Sequence, residues 1–420
     1  MLAIWRLSLV ILSAGALSAC ATRSVGPVPL PIAATEFDLN GDRLIGREEA
    51  GPILRPRFAE VDRDHSGALD GRELGDYFAA LAAPRAAPPS SFAADKVPAV
   101  VSSQDIDAGL RTMTEDIAVP GGALICGSQG REIYRHGFGA ISDTTSVPIA
   151  SASKWISAVI LMQSVEAGSV RLDAPLSTYL PTAPAGWREM TLRQMFSHSA
   201  GAPRSHALRY PPDMSAAELA RTLMAGRPAA VPGSAFAYGG ESMQVGAFAV
   251  ETATGSSWRQ LFDRGFRSRL GLKDISFRHP IWYDPAREIV TPNVAAGVWS
   301  SASDYFQILS ALAFPTAETR LLSDASLSEM ESDYTSGLSQ TFRPPGIHDD
   351  WSYGLGLWCE RRAGNRCQSI SSAGAFGTYP WIDRTTGSYG VLVTLGDVKT
   401  ALPYALKLRK MCERLPAPAL

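Results

Sequence analysis

Ser151 and Lys154 stand three residues apart at the start of the most apolar helical stretch in the chain. Residues at i and i+3 share one face of a helix, within side-chain reach. Around them Trp155, Ile156, Val159, Ile160, Leu161, Met162 and Val165 leave no wide polar face. The pattern predicts a buried helix, preceded by Pro148 and stopped at Gly168. Lys154 is its only charge before Glu166. An ammonium in such surroundings loses hydration, which lowers its pKa and lets the neutral amine take a proton from a neighbouring hydroxyl. The helix N-terminus favours the negative charge that develops there. The chemistry implied is acyl transfer, with Ser151 as nucleophile and Lys154 as base. The other lysines, Lys96, Lys273, Lys399, Lys407 and Lys410, have no serine three residues before them.

The elements that must position this pair come from both ends of the sequence. A helix is predicted over 103–117, followed by a hairpin of Gly122–Cys126 and Glu132–His136. Strand-like runs return between Tyr353 and Asp397, and a last helix is predicted over about 402–415. The middle, to about Leu327, reads as helix-rich. Strands at both ends around a helical middle predict an α+β fold, one sheet completed by distant segments.

With 420 residues and 45% hydrophobic content, the chain has ample material for a large core and more than one domain. Its net charge of −2, with no basic block or stripe, argues against a nucleic-acid partner. Residues 1–19 read as an export signal, with Arg6 before an apolar run from Leu7 to Leu17. Leu17-Ser-Ala-Cys20 resembles a bacterial lipobox, which would make Cys20 the lipidated N-terminus and anchor the protein to a membrane. An ordinary signal peptide, with Cys20 incidental, is the other reading. Ala21 in place of Asp points by resemblance to the outer membrane, facing the periplasm. That compartment permits disulfides. Cys359 and Cys367 could meet across a hairpin, leaving Cys126 to pair with Cys412 or stay free.

A short tether over 20–32 leads to two acidic loops within 33–81 that resemble EF-hands. Calcium takes six to eight oxygens from loop positions 1, 3, 5, 7, 9 and 12, with glycine at 6 for the sharp turn. The second loop supplies Asp62, Asp64, Ser66, Ala68, Asp70 and Glu73, with Gly67 at the turn. In the first, Asp38, Asn40, Asp42, Leu44 and Glu49 fall in register, but Arg43 stands where glycine is wanted. That residue must adopt a strained conformation, so weaker binding is expected there. Ile45 and Leu69 are expected to pair in a short strand, and the helices to be short. A rigid Ca²⁺ module, rather than a sensor that opens, is the expectation. A Pro/Ala/Ser linker follows over 82–102.

Residues 103–416 resemble the serine β-lactamase-like family of class C β-lactamases, D-peptidases and esterases. The landmarks are Ser151/Lys154, Leu172-Asp173…Tyr179-Leu-Pro181, Phe196-Ser-His-Ser-Ala-Gly201, Phe236-Ala-Tyr238-Gly-Gly240, Ala296–Asp304, Tyr353-Gly-Leu-Gly356 and Ala373-Gly-Ala-Phe-Gly377, in family order. The resemblance implies an antiparallel sheet flanked by helices beside an all-α region. It gives Tyr238 a proton-relay role and the backbone N–H groups of Ser151 and Ala375 the oxyanion hole. His198 would support its loop rather than react. Absence of a Gly-x-Ser-x-Gly elbow argues against an α/β-hydrolase.

Two departures fall in the expected substrate-binding positions Gly240, Ser372 and Gly374. The family's Tyr-x-Asn is here Tyr238-Gly239-Gly240, and its Lys-Thr-Gly or His-x-Gly is Ser372-Ala373-Gly374. Without the cation, recognition of a substrate carboxylate loses its partner. The expectation is therefore a hydrolase of small-molecule esters or peptide-type amides rather than an efficient β-lactamase. The alternative is a catalytically inactive binding protein of the cell envelope. No cofactor beyond calcium is implied.

Overall fold

The computed structural model describes residues 42–50, 55–74, 76, 96–203, 213–278 and 289–416. Cys20, the export signal, the tether, Asp38, Asn40 and most of the linker lie outside the described residues.

In the N-terminal segment, β1 (Ile45–Gly46) pairs antiparallel with β2 (Ala68–Leu69), placing Ile45 opposite Leu69 as expected. Both side chains are fully buried, so the pairing joins the two loops through apolar contact. The helix Phe58–Val61 between them has a single turn. Arg57 ties this segment to the rest of the molecule, its Nη2 donating to the Ala118 carbonyl at 2.6 Å.

The main sheet is built from both ends of the remaining chain. Its strands are β3 (Gly121–Ser128), β4 (Arg131–Gly139), β10 (Ser352–Tyr353), β11 (Trp358–Ala363), β12 (Arg366–Ser371), β13 (Tyr379–Asp383) and β14 (Ser388–Thr394). They run in the order β10-β11-β12-β13-β14-β3-β4, every neighbour antiparallel. The β3–β4 turn is made by Gln129 and Gly130, both at positive φ (50° and 80°), the combination that suits a two-residue hairpin. Alternate residues of β3 face two cores. Leu124 and Cys126 pack with Leu110 and Met113 of the helix Ser103–Asp116 and with Leu408 of the helix Val398–Cys412. Ala123 and Ile125 face the cluster of the central helix Ser153–Glu166 and the helix Ala302–Ala313. The strand is therefore buried on both sides.

Disulfides join Cys126 to Cys412 and Cys359 to Cys367. A buried ionic group reinforces the C-terminal helix: Arg409 bonds Glu360 at 2.6 Å, Asp383 at 3.0 Å and the Ser369 hydroxyl at 2.7 Å. That helix begins at Val398, four residues before the sequence-based start, because Asp397 caps it by accepting from Lys399 N at 2.7 Å. Pro403 is carried inside the helix.

The helix-rich middle also holds short strands that the sequence pattern did not reveal. β5 (Val147–Pro148) and β7 (Ser276–Phe277) pair with β8 (Val298–Ser300), and β6 (Ala235–Ala237) runs parallel to β9 (Ser339–Phe342). Runs of two to four residues are too short to show alternation. These small pairs fix the two segments flanking the nucleophile candidate.

Candidate active site

Ser151 does not lie in the first turn of an α-helix. It sits in a 3₁₀ turn, Ala150–Ala152, that feeds the α-helix starting at Ser153. The preceding Ala150 has φ 45°, a left-handed conformation that strains a residue with a Cβ. Several bonds hold this turn. Ser153 Oγ donates to the Ala150 carbonyl at 2.6 Å and accepts from Val298 N at 3.0 Å, tying the turn to β8. Tyr305 Oη donates to the Ala152 carbonyl at 2.8 Å.

Lys154 is 3% exposed. Its Nζ lies 3.3 Å from Ser151 Oγ, donates to the Ala295 carbonyl at 3.0 Å, and sits 4.7 Å from the centre of the Tyr238 ring. Burial brings the ammonium pKa down to about 7, against an opposing pull from the Glu241 carboxylate. A substantial neutral fraction is thus present near pH 7, next to a hydroxyl. The carbonyl that receives Lys154 is itself placed by buried side chains. Ser157, one turn further along the central helix, donates to the Val294 carbonyl at 2.5 Å. Gln244 accepts from Val294 N at 3.1 Å and donates to the Pro292 carbonyl at 3.1 Å. Asn293 Oδ1 accepts from Ala295 N at 3.0 Å.

Tyr238 follows β6, its N–H donating to the Phe342 carbonyl of β9 at 3.1 Å. Its ring stacks on Trp358, with centroids 5.1 Å apart, so Trp358 supports the tyrosine from β11. Burial raises the phenol above its ordinary range, while hydrogen bonding to Ser151 and Tyr353 eases the rise. His198 (φ 57°) packs its ring 4.7 Å from Tyr238 and 4.9 Å from Tyr353. Neither of its ring nitrogens has a hydrogen-bond partner among the described residues. Burial first, and the Lys154 charge second, hold the imidazole well below its usual pKa. It is a neutral packing ring.

Gly374, at the end of β12, is needed for a close approach: a Cβ there would lie 2.1 Å from the Ile149 carbonyl oxygen, just before the 3₁₀ turn. Ser372 Oγ donates to the Ser151 carbonyl at 3.1 Å, so this side chain already serves the turn. Ala375 is exposed in the turn closed by Gly377 N donating to the Gly374 carbonyl at 2.9 Å. Gly240 begins the helix Glu241–Thr254, and its N–H donates to Glu241 Oε2 at 2.9 Å.

The structure thus gathers Ser151, Lys154, Tyr238, Ser372 and Gly374 around one helix start, with Gly240 two residues along the chain from Tyr238. Sequence reasoning missed Ser157, Gln244, Asn293, the Ala295 carbonyl and Glu241. Glu241 alone left a trace in the sequence, as an acidic residue directly after the two glycines of the second motif.

Among the described N-terminal residues, ligand oxygens of Asp62, Asp64 and Glu73 lie within 4.8 Å of one another. Gly67 turns at φ 84°, and Asp62 accepts from the N–H groups of Ser66 at 2.9 Å and Gly67 at 3.0 Å. Arg43 adopts φ 67°, the left-handed turn asked of that position. This donor set fits a hard cation.

A family model described as Beta-lactamase matches residues 106–407. The chain is 29% identical over 143 residues to the Escherichia coli K12 D-alanyl-D-alanine-carboxypeptidase/endopeptidase AmpH. That match takes in 31% of this chain and 36% of AmpH, so the chain spans about a third of that relative's length. Among solved structures, a Bacteroides dorei DSM 17855 protein provisionally named a beta-lactamase superposes with a TM-score of 0.66 at 22% identity, over 74% of this chain and 99% of the other. EstCE1, a hydrolase with promiscuous acyltransferase activity, gives a TM-score of 0.61 at 18% identity, over 74% and 98%. With the family model spanning most of the chain and the fold shared throughout that span, the protein belongs to the beta-lactamase family of serine hydrolases.

Proposed function

We propose that this protein is a cell-envelope serine hydrolase acting through a Ser151 acyl-enzyme on esters or peptide-type amides. The observation that carries the reading is the buried Lys154 amine 3.3 Å from Ser151 Oγ, where burial pushes its pKa down to about 7. Ser151 Oγ attacks the acyl carbon as its proton passes to the neutral Lys154 amine. The oxyanion is held by the Ser151 and Ala375 N–H groups. Tyr238 relays the proton to the leaving group, whose bond to the acyl carbon then breaks. Water, giving up its proton along the same route, cleaves the Ser151 ester. The substrate preference follows from Ser372, which offers a neutral hydroxyl already bonded to the Ser151 carbonyl. AmpH, a D-alanyl-D-alanine-carboxypeptidase/endopeptidase, supports the peptide-type side of this reading.

Calcium belongs to the same proposal. Asp62, Asp64, Ser66, Ala68, Asp70 and Glu73 would hold one ion, and Asp42, Leu44 and Glu49, with Asp38 and Asn40, a second. The ions would neutralise clustered carboxylates and stiffen the loops between a Cys20 lipid anchor and the hydrolase. The test of the enzyme reading is labelling by a fluorophosphonate, lost in Ser151→Ala. Equal labelling of the variant removes Ser151 as nucleophile.

A further inference from the structure

The second motif has no side-chain amide two residues after Tyr238, where the family resemblance leads one to expect it. At that point the backbone makes room for a different group. Glu241, 4% exposed, turns its carboxylate back over the glycine pair. Gly240 N donates to its Oε2 at 2.9 Å, and a Cβ on Gly239 would stand 2.7 Å from the same oxygen. Any residue but glycine at 239 must displace the carboxylate. The carboxylate is thereby fixed against the two residues that directly follow Tyr238, over whose ring Lys154 Nζ lies.

We infer that Glu241 is a positioning residue for the Ser151–Lys154 pair, its carboxylate, seated in the Gly239–Gly240 cradle, supplying electrostatically what a neutral amide at position 240 would otherwise supply. The inference rests on the proposed acyl-transfer role of Ser151.

The groups facing Lys154 are few. Ser151 and the Ala295 carbonyl contact the amine, and the Tyr238 ring lies against it. His198, held neutral, packs on Tyr238, and Tyr353 lies against both rings. Among the described residues, Glu241 is the carboxylate whose charge acts on Lys154, pulling its pKa upward against burial. In water an exposed pair would be screened, but in this dry setting the attraction persists. It offsets part of the cost of protonating Lys154 after Ser151 gives up its proton, so it favours the charge distribution of the acylation step. It also keeps the amine from becoming so weak a base that it cannot take that proton. The cradle has a further consequence. Glu241 is the first residue of the helix carrying Gln244, and Gln244 shapes the Val294–Ala295 segment that receives Lys154. One helix end therefore sets both the field at the amine and the carbonyl it bonds.

The test is the pH profile of kcat/KM for a p-nitrophenyl ester, with fluorophosphonate labelling as a parallel readout. Glu241→Gln removes the charge while keeping the acceptor oxygen, and is expected to move the acid limb about one unit lower while lowering plateau kcat. Gly239→Ala, which pushes the carboxylate aside, is expected to shift the limb the same way. Glu241→Asp is expected to bring it back toward the parent. A packing role alone lowers activity at every pH and leaves the limb in place. A folded Glu241→Gln or Gly239→Ala protein whose limb coincides with the parent's overturns the inference. Loss of labelling in Ser151→Ala in the same series shows that the enzyme reading stands regardless.

Discussion

The Ser372 hydroxyl donates to the Ser151 carbonyl oxygen across 3.1 Å. This bond joins the end of β12 to the turn that presents the proposed nucleophile, and it occupies the side chain where relatives are expected to carry a cation. Ser372→Ala removes one buried hydrogen bond, a loss of about 1 kcal/mol. In a domain of this size that corresponds to roughly 2 °C in Tm. The turn also loses a tether, so fluorophosphonate labelling should slow severalfold while ester KM changes little. Calorimetry and labelling rates check the two effects. Unchanged values for both would show that the bond is idle.

Lys154 must be neutral to accept a proton, and burial brings its pKa down to about 7. Ester hydrolysis should therefore rise about tenfold per pH unit below that value and flatten above it. Stability carries the same signature. The folded pKa lies below that of an unfolded lysine, so between about 7 and the ordinary lysine range the unfolded chain binds the proton that the folded chain lacks. Stability rises with pH through that window. A kcat/KM profile that stays flat across pH 6 to 8 would remove Lys154 as the base.

How far the sequence revealed this site depended on the kind of signal each residue leaves. Ser151 and Lys154 were legible because a serine three residues before a lone lysine stands out at the start of an apolar run, Tyr238 through the family resemblance, and the central helix because an all-round apolar run has one physical meaning. The sheet was legible at its two ends, where β3 and β14 are long enough to read as strands. The helical first turn at Ser151 was misread as α, since no propensity rule anticipates a left-handed alanine at 150. Gln244 and Asn293 were invisible because a polar residue that bonds a distant backbone group looks like any surface residue until the chain is folded. Glu241 leaves an ambiguous signal, because an acidic residue opening a helix reads as an ordinary exposed N-terminal charge until the fold seats it over Gly239 and Gly240.

Gly374 and Gly356 mark where backbone passes against the residue preceding the 3₁₀ turn and against the first turn of the central helix, respectively. A Cβ at Gly374 would meet the Ile149 oxygen at 2.1 Å, and one at Gly356 (φ 70°) the Lys154 oxygen at 2.4 Å. Both obstacles are backbone, which cannot rotate away. Either substitution to alanine should cost at least about 3 kcal/mol, the upper range for overpacking. Gly168→Ala makes the control. It shares a positive φ of 71° but has open space around it, so only the conformational strain of about 1–2 kcal/mol applies. Urea denaturation ranks the three variants. A Gly168→Ala loss as large as that of Gly356→Ala would show that φ, not backbone approach, governs Gly356.

Arg43 and Gly67 occupy the same loop position at φ 67° and 84°. The left-handed conformation costs the arginine about 1–2 kcal/mol, and glycine almost nothing. If that strain is taken up as the first loop closes on calcium, Arg43→Gly should tighten that loop about fivefold or more. Glu73 is the counterpart in the second loop, where its carboxylate accepts from Arg63 N at 2.8 Å and Asp70 N at 3.0 Å. Glu73→Gln keeps one oxygen but removes a charge and a bidentate ligand, so the tighter of two calcium-binding steps should vanish. Titration calorimetry of the full protein separates the steps: Arg43→Gly should strengthen the weaker one alone, Glu73→Gln delete the stronger one alone. A Glu73→Gln isotherm matching the parent's would show that this loop is held by its own backbone hydrogen bonds rather than by an ion.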